Sequence, residues 1–224
     1  MTEKMALAVL AAPINHISRP GTEGVIEPSR VKLNYDDNLW LLPRSTCERD
    51  INYRQIIPYI TLITDNHEVM SFRQVEEDSE MSRVDKRSIG LSPHIEYLPE
   101  VEDVTKMTSD EWHRFIVEEA LRKVEEEVGL KHIALYREQM LTTLRLSKYR
   151  YLILNDTMEE QTHLGIHLFL RVNPQDITKG EDDVTKDRRW SCMKLLYEKH
   201  YDSEISLERW SISVIDHYLS GNRY

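Results

Sequence analysis

Two cysteines in 224 residues cannot build a disulfide framework, and neither Cys47 nor Cys192 belongs to a Cys-x-x-Cys pair of the metal-binding or redox kind. Reduced thiols in a cytoplasmic setting are the expectation. Seven glycines are also few, and no glycine-rich phosphate loop, internal repeat or low-complexity tract occurs. No apolar run approaches the ~20 residues that a bilayer span requires, which argues against a membrane protein. The apolar stretch Met5–Pro13 follows Glu3 and is not followed by a cleavage site with a basic leader, so it reads as the first element of the fold. Positive charge is short as well: 29 Lys and Arg against 39 Asp and Glu give a net charge of −10. Affinity for duplex nucleic acid is carried by cations that neutralise phosphates, so such a partner is not expected. An anionic substrate held through a divalent metal stays compatible with that charge.

With 40% hydrophobic and 30% charged residues the chain has material for one sizeable core. Residues 1–41 read as a lead-in packed on the domain, irregular but for one or two short strands, with loop punctuation at Arg19-Pro20-Gly21 and Glu27-Pro28-Ser29. Residues 42–224 form the domain proper. Gln55–Ile63 is β-branched and aromatic, Asp65-Asn66-His67 makes a turn, and Glu68–Val75 alternates, which together predict a hairpin. Pro58 within its first strand is expected at an edge or bulge. Residues 76–88 and 97–107 are charged loops. Leu144–Asn155 and Thr162–Val172 read as strands, separated by a polar turn at Asp156–Gln161. Helical stretches are expected around Arg188–His200 and Ser206–Leu219. These elements predict an α/β sandwich with a mixed sheet.

One helix is bounded at both ends. Thr108-Ser109-Asp110-Glu111 is a capping box, and Gly129 supplies the left-handed residue that closes a helix, so Ser109–Val128 should be helical throughout. At 100° per residue Val117, Ala120, Leu121, Val124 and Val128 share the core side. Glu119, Arg122, Lys123, Glu126 and Glu127 share the opposite arc. By composition alone this arc is a solvated charged face. Its three carboxylates also have the chemistry of an oxygen-ligated Mg²⁺ or Mn²⁺ site.

The order of residues points further. Arg122-Lys123-Val124-Glu125-Glu126-Glu127-Val128-Gly129-Leu130 resembles the second half of the Nudix box, R-E-U-x-E-E-x-G-U with U aliphatic, at every position but the second. There the family has Glu and this chain has Lys123. Thr108 and Arg114 stand where the glycine and glutamate of the first half would fall. Tyr53-x-Gln55-x-Ile57-Pro58-Tyr59, Ser88-Ile89-Gly90-x-x-x-His94-Ile95, Leu154-Asn155-Asp156, His163-Leu164-Gly165 and Leu207-Glu208-x-Trp210-Ser211 follow in the order seen in the Nudix branch classed as predicted phosphoesterases. The resemblance covers about Leu42 to Leu219, with Ser92-Pro93 replacing the glycine pair that precedes the His in that branch.

The resemblance implies a Nudix-like α/β/α sandwich and a hydrolase that cleaves the diphosphate linkage of a nucleoside diphosphate derivative. It implies Glu126 and Glu127 as ligands of Mg²⁺ or Mn²⁺ with support from Glu119, Arg122 as the residue orienting a carboxylate, and Lys123 at a catalytic position. His94, Asn155 and Asp156 become candidates for contact with a nucleotide-type small molecule. Lys123 and Ser92-Pro93 keep open the alternative of a catalytically impaired Nudix-fold protein that binds a nucleotide or a protein partner. A homodimer is the default assembly expected of a soluble protein.

Overall fold

The computed structural model describes residues 8–17, 23–31, 33, 39–74, 86–97, 107–180 and 185–221. The turn expected at Arg19-Pro20-Gly21 and most of the two charged loops lie outside them. Along the chain come β1 (Ala8–Pro13), β2 (Gly24–Ile26), β3 (Trp40–Pro43), the short helix α1 (Arg44–Cys47), β4 (Tyr53–Ile63), β5 (Glu68–Gln74), β6 (Arg87–Ser88) and β7 (Glu96–Tyr97). The second half holds α2 (Ser109–Val128), α3 (Ile133–Arg145), β8 (Arg150–Ile153), the short α4 (Met158–Gln161), β9 (His163–Arg171), β10 (Thr185–Cys192), α5 (Met193–Tyr201) and α6 (Arg209–Leu219). No helix among the described residues is long and apolar enough to cross a membrane. Cys47 is buried, Cys192 is exposed, and both are free.

The strands form one mixed sheet whose main path is β10-β5-β4-β9-β8-β2, with β1 joining β4 to β3 and β7. Its centre is the parallel pair β4 and β9, in register from Gln55 opposite His163 to Ile63 opposite Arg171. The other pairings are antiparallel, including β4 with β5 through the expected hairpin. Period-two alternation divides the central strands between two cores. Ile56, Ile60 and Leu62 of β4 and Leu164, Ile166, Leu168 and Leu170 of β9 pack in one core with Val117, Ala120, Leu121, Val124 and Val128 of α2 and Tyr136, Met140, Leu141 and Leu144 of α3. Ile57, Tyr59 and Ile63 turn to the other, with Met193 and Leu196 of α5 and Trp210, Val214 and Ile215 of α6. The sheet is therefore covered on both faces, an α/β/α sandwich.

Helix α2 has the bounds read from the sequence. The Glu111 amide donates to the Thr108 hydroxyl, the Thr108 amide donates to the Glu111 carboxylate at 2.7 Å, and Gly129 closes the helix at φ 65°. All five residues of the expected core face are buried. The sequence reading departs from the structure elsewhere. Pro58 lies in the central strand rather than at an edge. Gln55 N–H and Ile63 C=O bond toward β9, while Ile60 bonds to Leu91 on the other side, so alternation turns the Pro58 nitrogen away from β9. On that side it falls between the pairing of β1 with Tyr53–Gln55 and the bridge at Ile60, where a ladder donor is not required. Helix α3 was not anticipated. The expected helix at Arg188 starts only at Met193, because Thr185–Cys192 pairs with β5 as an edge strand. The polar turn before β9 contains the single helical turn α4.

A partly buried polar cluster anchors α6. The Glu208 carboxylate caps the helix by accepting from the amides of Trp210 and Ser211, each at 2.8 Å, and also accepts from the Tyr59 phenol and the Ser211 hydroxyl. Burial and that neighbouring carboxylate push the Tyr59 phenol well above its usual pKa, so it remains a donor.

His167, midway along β9, is fully buried and its Nε2 lies 3.0 Å from the Thr61 hydroxyl. Burial, with lesser repulsion from His217 and Arg150, brings its pKa down to about 3. The folded state thus keeps the ring neutral at pH values where the unfolded chain takes up a proton. Stability from this group is complete above the unfolded value near 6.5 and is lost progressively as pH falls toward 3. In denaturant titrations between pH 6.5 and 5, above most carboxylate titration, the wild type should lose stability with falling pH more steeply than His167→Gln. Equal slopes would show that His167 is not held neutral.

Candidate functional site

The carboxylates of α2 are held by the cations between them. Arg122 donates through Nη2 and Nε to Glu119 Oε2, at 2.8 and 3.3 Å, and through Nη1 to Glu126 Oε1 at 2.5 Å. Lys123 Nζ lies 3.2 Å from Glu126 Oε2. Both oxygens of Glu126 therefore face a cation. Burial works against its charged form, but hydrogen bonds and charge from Lys123 and Arg122 keep the carboxyl below its usual range. The Arg122 guanidinium is correspondingly raised, chiefly by its hydrogen bonds to Glu119. Glu127 is half-buried on the same last turn, and Glu118, outside this arc, pairs with Arg137 of α3 at 2.7 Å.

The end of this helix is seated from outside. Arg188 of β10 donates to the Glu127 carbonyl at 2.8 Å and to the Thr178 carbonyl at 2.6 Å, placing a guanidinium at the negative end of the α2 dipole. The Thr178 hydroxyl donates to the Gly129 carbonyl at 2.8 Å. Gly180 presses on the last turn so closely that a Cβ there would stand 2.1 Å from the Glu126 carbonyl oxygen. Neither residue was singled out in the sequence. Arg188 carries no local signal, since it reaches α2 only through the pairing of β10 with β5.

His94, Asn155 and Asp156 belong to other elements of the chain. The His94 ring is 5.7 Å from that of His163, and alternation puts His163 on the α6 face of β9, opposite the side packed on α2. Gln55, fully buried, reaches the same His163 at 3.3 Å. Asn155 accepts from the buried Arg54 at 2.5 Å, and Arg54 also donates to the carbonyls of His163 and Glu160. Asp156 pairs with Arg209 at the start of α6, at 2.7 Å, and Arg209 also holds Glu160 at 2.9 Å. This set of contacts fastens the turn before β9 to β4 and α6. The structure thus groups Glu119, Arg122, Lys123 and Glu126 on α2, and ties His94 to β9 and the Asn155-Asp156 turn to β4 and α6.

No family model matches the chain, and no curated protein matches it. Among solved structures, that of Tm1382, named as a candidate Nudix hydrolase, superposes over 95% of this chain and 98% of its own, with a TM-score of 0.59 at 17% identity. The fold is Nudix-like. Weaker likenesses are to DR0079 from Deinococcus radiodurans, with 10% identity, 87% of this chain, 97% of that one and a TM-score of 0.45, and to a Nudix hydrolase from Alicyclobacillus acidocaldarius, with 12%, 75%, 91% and 0.44.

A Nudix-like fold raises the matter of a divalent cation, and the donors of α2 as arranged do not fit one. Among the described residues no three His, Cys, Asp or Glu side chains gather into a group able to hold a metal ion. Mg²⁺ and Mn²⁺ need several free oxygens, whereas Glu126 has given both of its own to Arg122 and Lys123. Of the expected Glu119, Glu126 and Glu127 ligand set, Glu119 and Glu126 are paired with Arg122 and Lys123 in this arrangement.

The contact of Gly180 with α2 is testable by stability. Gly180→Ala must displace main chain rather than a flexible side chain, so it should cost about 1–3 kcal/mol, the usual range for overpacking. In a chain of this size that lowers Tm by several degrees, on the order of 2–4 °C per kcal/mol. An unchanged melting curve would show that Gly180 does not seat the end of α2.

Proposed function

We propose that this chain is a Nudix-fold protein that binds a small nucleotide-type molecule, a nucleoside diphosphate joined to another group, and hydrolyses it poorly or not at all. The observation that carries the reading is the Lys123 ammonium against Glu126, at the position where the Nudix pattern has a carboxylate. An ammonium there repels a divalent cation and, charged, accepts no proton, so it supports neither metal activation of water nor general-base catalysis. Fold alone does not confer activity.

The hydrolase reading is kept as the second. It is favoured by Arg122, Glu126 and Glu127, all present in the Nudix order, with both glutamates half-buried on the last turn of α2. His94, Asn155 and Asp156 are kept as contacts for the part of the ligand remote from the diphosphate, because they lie on other elements.

A panel of nucleoside diphosphate derivatives, assayed with Mg²⁺ and Mn²⁺, separates the two. At least one ligand should raise the wild-type Tm by mass action, with turnover far below the ordinary range of roughly 1–10³ s⁻¹. Lys123→Glu, which replaces +1 by −1 beside Glu126, should raise turnover. Ordinary turnover by the wild type, abolished in Lys123→Glu, would make Lys123 a working residue of a hydrolase and overturn the binding reading.

A further inference from the structure

We propose that Lys123 stands in for the divalent cation of this fold, so that a phosphate-bearing ligand is held at the α2 arc without Mg²⁺ or Mn²⁺. The proposal rests on the binding reading above and states its chemistry. Glu119 and Glu126 are matched by Arg122 and Lys123, two negative charges by two positive, in one row along the helix, with Glu127 as the third carboxylate of the arc. A cation entering that row must displace both partners of Glu126 and then lie beside two like charges. An anion is met instead by the donors that Arg122 and Lys123 do not direct at the glutamates. Lys has three N–H donors and Arg has five. Lys123 directs a donor at Glu126, and Arg122 directs three at the two glutamates. The remaining donors sit on side chains that are 27% and 45% exposed, within reach of a phosphate in solvent. The glutamates fix the direction of the cations, and a fixed ammonium recognises phosphate as a point charge.

Wild type, Lys123→Met, Lys123→Glu and Glu126→Gln proteins test this with two probes. Mn²⁺ alone is followed by the electron paramagnetic resonance amplitude of the free ion, and inorganic pyrophosphate is followed by calorimetry in EDTA and again in Mg²⁺. The wild type should leave the Mn²⁺ signal undiminished and bind pyrophosphate equally in both solutions. Lys123→Met should weaken pyrophosphate by roughly tenfold or more, the loss of a charge-assisted hydrogen bond, without gaining Mn²⁺. Its Tm should stay within about 2 °C, because a partly exposed i,i+3 pair adds little stability, so lost binding is not unfolding. Lys123→Glu should take up Mn²⁺. Uptake of one Mn²⁺ per chain by the wild type, abolished in Glu126→Gln, would overturn the proposal. Pyrophosphate binding confined to Mg²⁺ would overturn it alone and leave the binding reading standing. Failure of pyrophosphate in both solutions, together with failure of the whole nucleotide panel, would overturn both.

Discussion

Parallel strands cannot be joined by a turn, so the pairing of β4 with β9 forces everything from Thr64 to Thr162 to be routed around it. The chain makes the detour by way of β5, α2, α3 and β8, and α2 is laid across one face of the two strands as a result. Alternation along these strands then decides which residues meet α2. Leu164, Ile166, Leu168 and Leu170 support α2 from below, while His163 and His167 are turned to α6. His94 meets His163 edge to face, and the same parity turns His163 to the α6 face of β9.

Local signals were sufficient where an element carries its own boundaries. Helix α2 was legible because Thr108, Glu111 and Gly129 act within one turn of each end. Helix α3 has the apolar spacing of a helix at Tyr136, Met140, Leu141 and Leu144, but His132 starts it in a left-handed conformation with no side-chain cap, and the β-rich Arg150–Ile153 follows closely. β10 is charged and edge-exposed, and only its ladder with β5 makes it a strand. The residues of the candidate site divide likewise. The grouping of Glu119, Arg122, Lys123 and Glu126 is helical arithmetic and could be read at i, i+3 and i+4. Arg188, Gly180 and Arg54 act across many residues of sequence and have no local mark.

The ion-pair row on α2 is small as a stabilising feature. Exposed pairs of this spacing contribute about 0.3–0.5 kcal/mol each, little beside the apolar face of the same helix, where seven residues are buried. Its importance lies in which oxygens it leaves open. A single side chain, Lys123, leaves two cations against the three carboxylates of the arc, where a Glu at that position would leave one cation against four.

The carboxylate that caps α6 has a temporal consequence. Glu208 is separated from Tyr59 by 149 residues, and synthesis runs from the N-terminus. Until Glu208 emerges, the Tyr59 phenol has no carboxylate to donate to, and β4 likewise has no β9 beside it. A nascent chain holding β4, β5 and α2 is therefore an assembly with an apolar strand open on one side and an incomplete polar centre, the kind of intermediate that aggregates unless shielded. The middle of the sheet is among the earlier segments to be made and among the last to be finished.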